Sequence, residues 1–382
     1  MSSFDSKLPG IKTSIFAVMS QLANEHQAIN LSQGFPDFPV SEELIDLVSF
    51  YMKKGMNQYA PMPGLPELRK TLCEKQNAIH DSNYCPVSEI TITAGATQAI
   101  QTAIATVIRP GDEVIIFEPS YDAYGPLVNL HEGIPVYLQL QAPNFSINWD
   151  EVANAVTDKT RMIVVNSPHN PTGASLSKED LDALASIVKD KEIYILSDEV
   201  YEHIIFDGAE HQSISRHPEL KEKAFVTGSF GKTFHTTGWK LGYVFAPEYL
   251  MTPFRMIHQF VVYSVNTPMQ YAVNDYLQDE KNYLSISPMY QQKRDFVLEA
   301  LKGSKFEMIP STGSYFQLLD YSKISDEKDT DFSIRVTKEF GVASIPLSPF
   351  YHNDESGTKL IRLCFAKKEE TLKDACEKLK RL

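Results

Sequence analysis

Short, β-rich apolar runs recur along the middle of the chain: Glu89–Gly95, Glu113–Pro119, Ile134–Leu140, Arg161–Asn166, Glu192–Val200, Ala224–Phe230 and Leu241–Ala246. Helix-like stretches such as Gln98–Ile108 and Lys178–Lys189 separate most of them. Near-continuous apolar strands alternating with amphipathic helices predict a mainly parallel sheet covered on both faces. The last connection differs. Only Gly231–Lys240, ten residues, separates the sixth and seventh runs, whereas a parallel crossover needs a dozen or more. The seventh strand is therefore predicted to run antiparallel.

After a helical stretch around Met269–Leu277 the pattern changes. Tyr290–Leu301 reads as a long helix, followed by short strands at Phe306–Ile309, Tyr315–Asp320, Ala343–Pro346 and Leu360–Ala366. The first ~35 residues are too few to fold alone and are expected to pack against that C-terminal unit. The expected architecture is α/β. A large domain over residues 40–280 carries a seven-stranded, mainly parallel sheet, and residues 1–39 and 281–382 form a smaller α+β domain.

With 382 residues, 43% apolar and 22% charged, the chain can bury a full core as a globular protein. A net charge of −13 argues against a polyanion as the main ligand. It leaves room for a small anion in a local basic pocket. No apolar run approaches the ~18 residues of a membrane span. The opening Met-Ser-Ser-Phe-Asp-Ser-Lys lacks the layout of a secretion signal, so a cytoplasmic location is expected. Four scattered cysteines, Cys73, Cys85, Cys364 and Cys376, read as reduced thiols and not as a disulfide or zinc framework.

Asn170, Asp198 and Lys232 each fall at, or just beyond, the carboxyl end of a predicted strand, where open α/β sheets place ligands. A carboxylate ending Ile193-Tyr-Ile-Leu-Ser-Asp198 would be buried and would need a partner. A lysine tucked at a strand end can lose its proton by desolvation and attack an aldehyde. The plainer alternative is a structural Asp198–Lys232 salt bridge beside a turn asparagine. Thr93-Ala-Gly-Ala-Thr97 ends a strand and opens a helix, so its free N–H groups suit an anion. Ser229 and Lys240 add a hydroxyl and a cation from a second segment.

The segments Asn166–Gly173, Ser197-Asp-Glu-Val-Tyr201 and Ser229-Phe-Gly-Lys-Thr-Phe-His-Thr-Thr-Gly-Trp-Lys-Leu-Gly242 resemble the fold-type-I, class I/II aminotransferases that use pyridoxal 5′-phosphate. The likeness runs over nearly the whole chain. Asn30-Leu-Ser-Gln-Gly-Phe-Pro-Asp-Phe38 and Asn57-Gln-Tyr-Ala-Pro61 narrow it to the branch of bacterial methionine aminotransferases and kynurenine/glutamine-K transaminases. The resemblance implies that Lys232 carries the cofactor as a Schiff base and moves the substrate proton. It further implies that Asp198 pairs with the ring nitrogen, that Asn170 and Tyr201 bond the ring's 3-oxygen, and that Tyr121 stacks on the ring. Ala96, Thr97, Ser229 and Lys240 would hold the phosphate. Much of the wider class has arginine where Lys240 stands, and the Gly-Trp-Lys found here fits the narrower branch. Arg362 would clamp the substrate carboxylate, with Gly34 and Asn170 beside it. Tyr59 would reach the phosphate and substrate of a partner subunit, which implies a homodimer with shared active sites. No metal is implied.

Aspartate-specific relatives use a second arginine for the distal carboxylate. None occurs in Gln259–Pro268, although Arg255 lies close by. Phe16, Phe35, Tyr59, Tyr121, Phe260, Tyr263 and Tyr315 are candidate pocket walls, against the alternative of core packing. Such a pocket suits methionine first, then aromatic amino acids and glutamine. A rival within the resemblance is a kynurenine/glutamine transaminase that also cleaves cysteine S-conjugates by β-elimination. A rival of another class, a serine acyl-enzyme, rests on Ser229-Phe-Gly-Lys232 alone, because the accompanying Ser-Asp-Asn and Lys-Thr-Gly elements are missing. A non-catalytic ligand sensor on the same fold is disfavoured because the cofactor-binding set is complete.

Overall fold

The computed structural model describes residues 6–9, 11, 13–353 and 358–382. Its strands are β1 (Ile29–Asn30), β2 (Ile90–Thr93), β3 (Glu113–Glu118), β4 (Ile134–Gln139), β5 (Thr160–Asn166), β6 (Tyr194–Asp198), β7 (Ala224–Ser229), β8 (Gly242–Phe245), β9 (Glu307–Ile309), β10 (Phe316–Asp320), β11 (Val342–Ala343), β12 (Ile345–Pro346) and β13 (Leu360–Cys364). The seven apolar runs of the sequence are β2 to β8. They form one sheet in the order β2-β8-β7-β6-β5-β3-β4.

Six of these strands run in one direction, and β8 alone is reversed, antiparallel to both of its neighbours, β7 and β2. The short connection anticipated that reversal. Successive side chains point to opposite faces, and here both faces are apolar. Val114, Ile116, Val164 and Leu196 pack on one side with Ala99, Ile100, Ala103 and Ile104 of the helix Ala96–Val107. Ile115, Ile163, Ile195 and Val226 pack on the other with Leu181 and Leu184 of the helix Lys178–Val188. Two-sided burial explains why these strands read as continuous apolar runs.

A second sheet, entirely antiparallel, has the order β12-β13-β10-β9. The run Ala343–Pro346, expected as one strand, is divided between two sheets. Val342 and Ala343 pair with β1, whereas Ile345 and Pro346 pair with β13. Pro346 has no N–H to donate, and β12 is an edge strand, the position that tolerates this. The N-terminal segment is tied to the C-terminal unit as anticipated. Leu31 donates its N–H to Ala343 O at 3.0 Å, and its carbonyl accepts from Cys364 N at 2.8 Å. Residues 1–5, 10 and 12 of that segment lie outside the described residues. Among the described residues no helix is long and apolar enough to cross a membrane, and the four cysteines are free.

Candidate active site

The carboxyl ends of β5, β6 and β7 lie side by side, and the next few residues of each bring a functional group to one place. The loop after β5 is pinned by Asn166, whose Nδ2 donates to Asp198 O at 2.8 Å while its Oδ1 accepts from Asn170 N at 2.8 Å. Asp198 ends β6 and is only 4% exposed. Its Oδ2 accepts the Tyr124 O–H at 2.6 Å. Burial pushes its carboxyl up to about 6, against the opposing effect of the Tyr124 hydrogen bond.

Lys232 sits in the short helix Phe230–Thr233 that follows β7. Its Nζ donates to Tyr315 Oη at 3.1 Å and more weakly to Gly34 O at 3.4 Å. Tyr315 also donates its O–H to Gly34 O. Burial draws the Lys232 ammonium down to about 8, so the neutral amine is accessible near neutral pH. Among the described residues Lys232 has no carboxylate within ion-pair distance. The structural salt bridge with Asp198 is therefore not formed. Nor does the Lys232 amine hydrogen-bond Ser229, as a serine acyl-enzyme would require.

These groups face a cavity of about 150 Å³ whose walls include Ala96, Thr97, Tyr121, Asn170, Asp198, Tyr201, Ser229, Lys232 and Lys240. One end is basic. Gly95 takes φ +78°, and a Cβ there would lie 3.5 Å from both Cε and Nζ of Lys240. The lysine thus reaches over the start of the helix Ala96–Val107, where free N–H groups collect. Strand β8 comes equally close. A Cβ on Gly242 would lie 2.8 Å from Gly228 O and 2.9 Å from Ala96 N.

Arg362, on β13, brings the second sheet to the same place and is completely buried. Its NH1 donates to Asn170 Oδ1 at 2.6 Å and its NH2 to Ser32 O at 3.0 Å, while Nε has no partner among the described residues. The guanidinium lies 3.9 Å from the Phe316 ring centroid, flanked by Phe16 and Phe350 at 5.2 and 5.3 Å. Burial pulls it down to about 10, still charged at neutral pH. No carboxylate lies within ion-pair distance of it among the described residues. A buried cation without a counter-ion is costly, and it suits an anionic ligand.

The candidate walls separate into two groups. Tyr121 lines the cavity, Tyr315 meets Lys232, and Phe16 meets Arg362. Phe35, Phe260 and Tyr263 are 45%, 86% and 49% exposed and lie outside the cavity lining. Tyr59 is 82% exposed and stands edge-on to Tyr263, with ring centroids 5.5 Å apart. Arg255 is committed elsewhere: Nε, NH1 and NH2 donate to Thr91 Oγ1, Val87 O and Ile90 O. Sequence reasoning missed Tyr124, Thr237 and Phe316. No motif marks Tyr124 or Phe316, whose roles come from contacts with distant parts of the chain, whereas Thr237 lies inside the segment 229–242 and lines the cavity beside Lys232 and Lys240.

A basic anion pocket at one end, a buried carboxylate without a cation and an amine lowered by burial match a phosphorylated, aldehyde-bearing aromatic with a protonatable ring nitrogen. Pyridoxal 5′-phosphate has that chemistry. Residues 26–379 match the family model described as aminotransferase class I and II, and the chain belongs to that family of pyridoxal-phosphate-dependent transaminases. The methionine aminotransferase of Escherichia coli (strain K12) is 46% identical over 378 residues, 99% of this chain and 98% of that one. A crystal structure of YbdL from Escherichia coli, described as identifying a methionine aminotransferase function, superposes with a TM-score of 0.97 over 100% of both chains. Human kynurenine–oxoglutarate transaminase 1 is 32% identical, covering 98% of this chain and 97% of that one.

Proposed function

We propose that this transaminase takes methionine as its amino donor, with aromatic amino acids and glutamine as secondary donors, and passes the amino group to a 2-oxo acid. The observation that carries the mechanism is the Lys232 amine. It is buried, lowered to about 8 and unpaired with Asp198, in the wall of a cavity with a basic end. When bound, pyridoxal phosphate supplies an aldehyde that condenses with amines and a ring that accepts the electron pair left on the amino acid's Cα. The chain supplies the rest. Lys232 removes the Cα proton and returns a proton to the product side, as a base of suitable strength near neutral pH. Asp198, ionised, pairs with the ring nitrogen. Asn170 and Tyr201 would bond the ring's 3-oxygen, Tyr121 would cover its face, and Ala96, Thr97, Ser229 and Lys240, which line the same cavity, would hold the phosphate.

Arg362 receives the substrate carboxylate beside Gly34. Its planar fork matches a carboxylate, and the idle Nε and the bonds to Asn170 and Ser32 give it donors to engage. The methionine preference is supported by the 46% identical relative and by Arg255, whose hydrogen bonds to the β2 region leave it unfit for a distal carboxylate. The same reading assigns residues 40–280 to the cofactor-binding domain and both chain ends to the smaller one, and it places the enzyme in the cytoplasm as a homodimer. Exposed Tyr59 fits a residue that completes the partner's site. Kynurenine as donor is the second reading, carried by the human relative.

Methionine added to the holoenzyme without acceptor should change the cofactor's absorbance and release one equivalent of the corresponding 2-oxo acid. The methionine assignment fails if only kynurenine does so. Pyruvate and ammonia released from a cysteine S-conjugate without any acceptor would reveal β-elimination.

A further inference from the structure

Tyr124 is 2% exposed and begins the helix Tyr124–Leu130. Its ring stands edge-on to Tyr121 at 5.6 Å, and its hydroxyl donates to Asp198 Oδ2 at 2.6 Å. The other oxygen, Oδ1, receives among the described residues only the Val200 N–H, at 3.4 Å. One side of the carboxylate is therefore fully engaged and the other is left with capacity to spare.

Tyr124 also lines a second, larger cavity of about 650 Å³, walled by Ile116, Phe145, Val164, His169 and Thr172 among others. Asn166 borders both cavities. The larger one has room for many water molecules, and Tyr124 touches both it and Asp198.

We propose that Tyr124 is a positioning residue: its hydroxyl clamps Asp198 Oδ2, leaving Oδ1 for the cofactor's ring nitrogen, and its ring closes Asp198 off from the larger cavity. A carboxylate already bonded at one oxygen stays ionised more readily in a buried site, which keeps the proton on the ring nitrogen. The proposal rests on Asp198 pairing with that nitrogen, so the test carries an arm for each.

Apoenzyme of wild type, Tyr124→Phe, Asp198→Asn and the double variant is titrated with ring-¹⁵N pyridoxal phosphate. Dissociation constants and the nitrogen chemical shift are both read. Tyr124→Phe should move the shift toward the unprotonated form, weaken cofactor binding by roughly tenfold and lower kcat, while KM for methionine changes less than about threefold. Asp198→Asn should move the shift further in the same direction. In its background Tyr124→Phe should cost no more than about twofold, since the hydroxyl acts through the carboxylate. The double variant leaves no charge unpaired and keeps the test readable if Tyr124→Phe alone does not fold. An unchanged shift and affinity in Tyr124→Phe, or a further tenfold loss in the double variant, overturns the proposal. An unchanged shift in Asp198→Asn overturns the role of Asp198 and the proposal with it.

Discussion

Arg362 shows at the scale of one residue how burial selects chemistry. The side chain is fully buried between aromatic rings, and its two NH groups hold an amide oxygen and a carbonyl in place of a carboxylate. Lysine would keep the charge and lose the planar fork. Arg362→Lys should therefore lower kcat/KM for methionine roughly 10- to 100-fold, the equivalent of about one charged hydrogen bond, mainly through KM. Steady-state kinetics check this, and an unchanged KM would remove Arg362 from carboxylate binding. Most such residues were legible in the sequence because each stands in a motif at a strand end. Tyr124 and Tyr315 were less so. Tyr124 meets Asp198 across 74 positions and Tyr315 meets Gly34 across 281, and no local spacing encodes those encounters.

Among the elements, the central strands were legible because two-sided burial writes itself as unbroken apolar runs. The short connection before β8 gave away its reversed direction. The division of Ala343–Pro346 between two sheets was not legible, since pairing with β1 and β13 depends on chain segments far away. The junction of β8 with the helix Ala96–Val107 forms the basic end of the cavity and leaves little room for added atoms. A Cβ at position 242 would fall below 3.0 Å from three backbone atoms. Gly242→Ala should cost about 1–3 kcal/mol of stability through overpacking and weaken cofactor binding as the helix start is displaced. Denaturant unfolding of the apoenzyme and a cofactor titration read the two effects. Unchanged values in both would show that the contact relaxes at little cost.

On the scale of the whole molecule, buried titratable groups set the response to acid. Burial holds His169, His235 and His258 down at about 4 and His203 at about 3. Unfolded, each would titrate near 6.5, so the unfolded chain binds protons first and stability is lost as pH falls from about 6.5 toward 4. Burial raises Glu118 to about 7 and Asp198 to about 6. These two oppose the trend, since their folded forms gain protons first as pH falls, but four histidines outnumber them. The apoenzyme should lose on the order of 2 kcal/mol per pH unit between about pH 6 and 4.5, read by urea unfolding. A stability flat over that window would contradict the buried, neutral histidines. The proposed sharing of sites between two subunits has its own test. Lys232→Ala and Tyr59→Ala, each nearly inactive alone, should regain activity when mixed, unfolded and refolded together, because half of the sites in each hybrid dimer combine two intact residues. Mixing without any gain would mean that Tyr59 serves its own subunit or none.

The proposed bond between Lys232 and the cofactor is open to direct chemical trapping. Borohydride reduction of the holoenzyme, followed by proteolysis and peptide mass mapping, should place the reduced pyridoxyl adduct on Lys232 in the peptide containing Ser229-Phe-Gly-Lys232. An adduct on another lysine, or none at saturating cofactor, would contradict the assignment of this site.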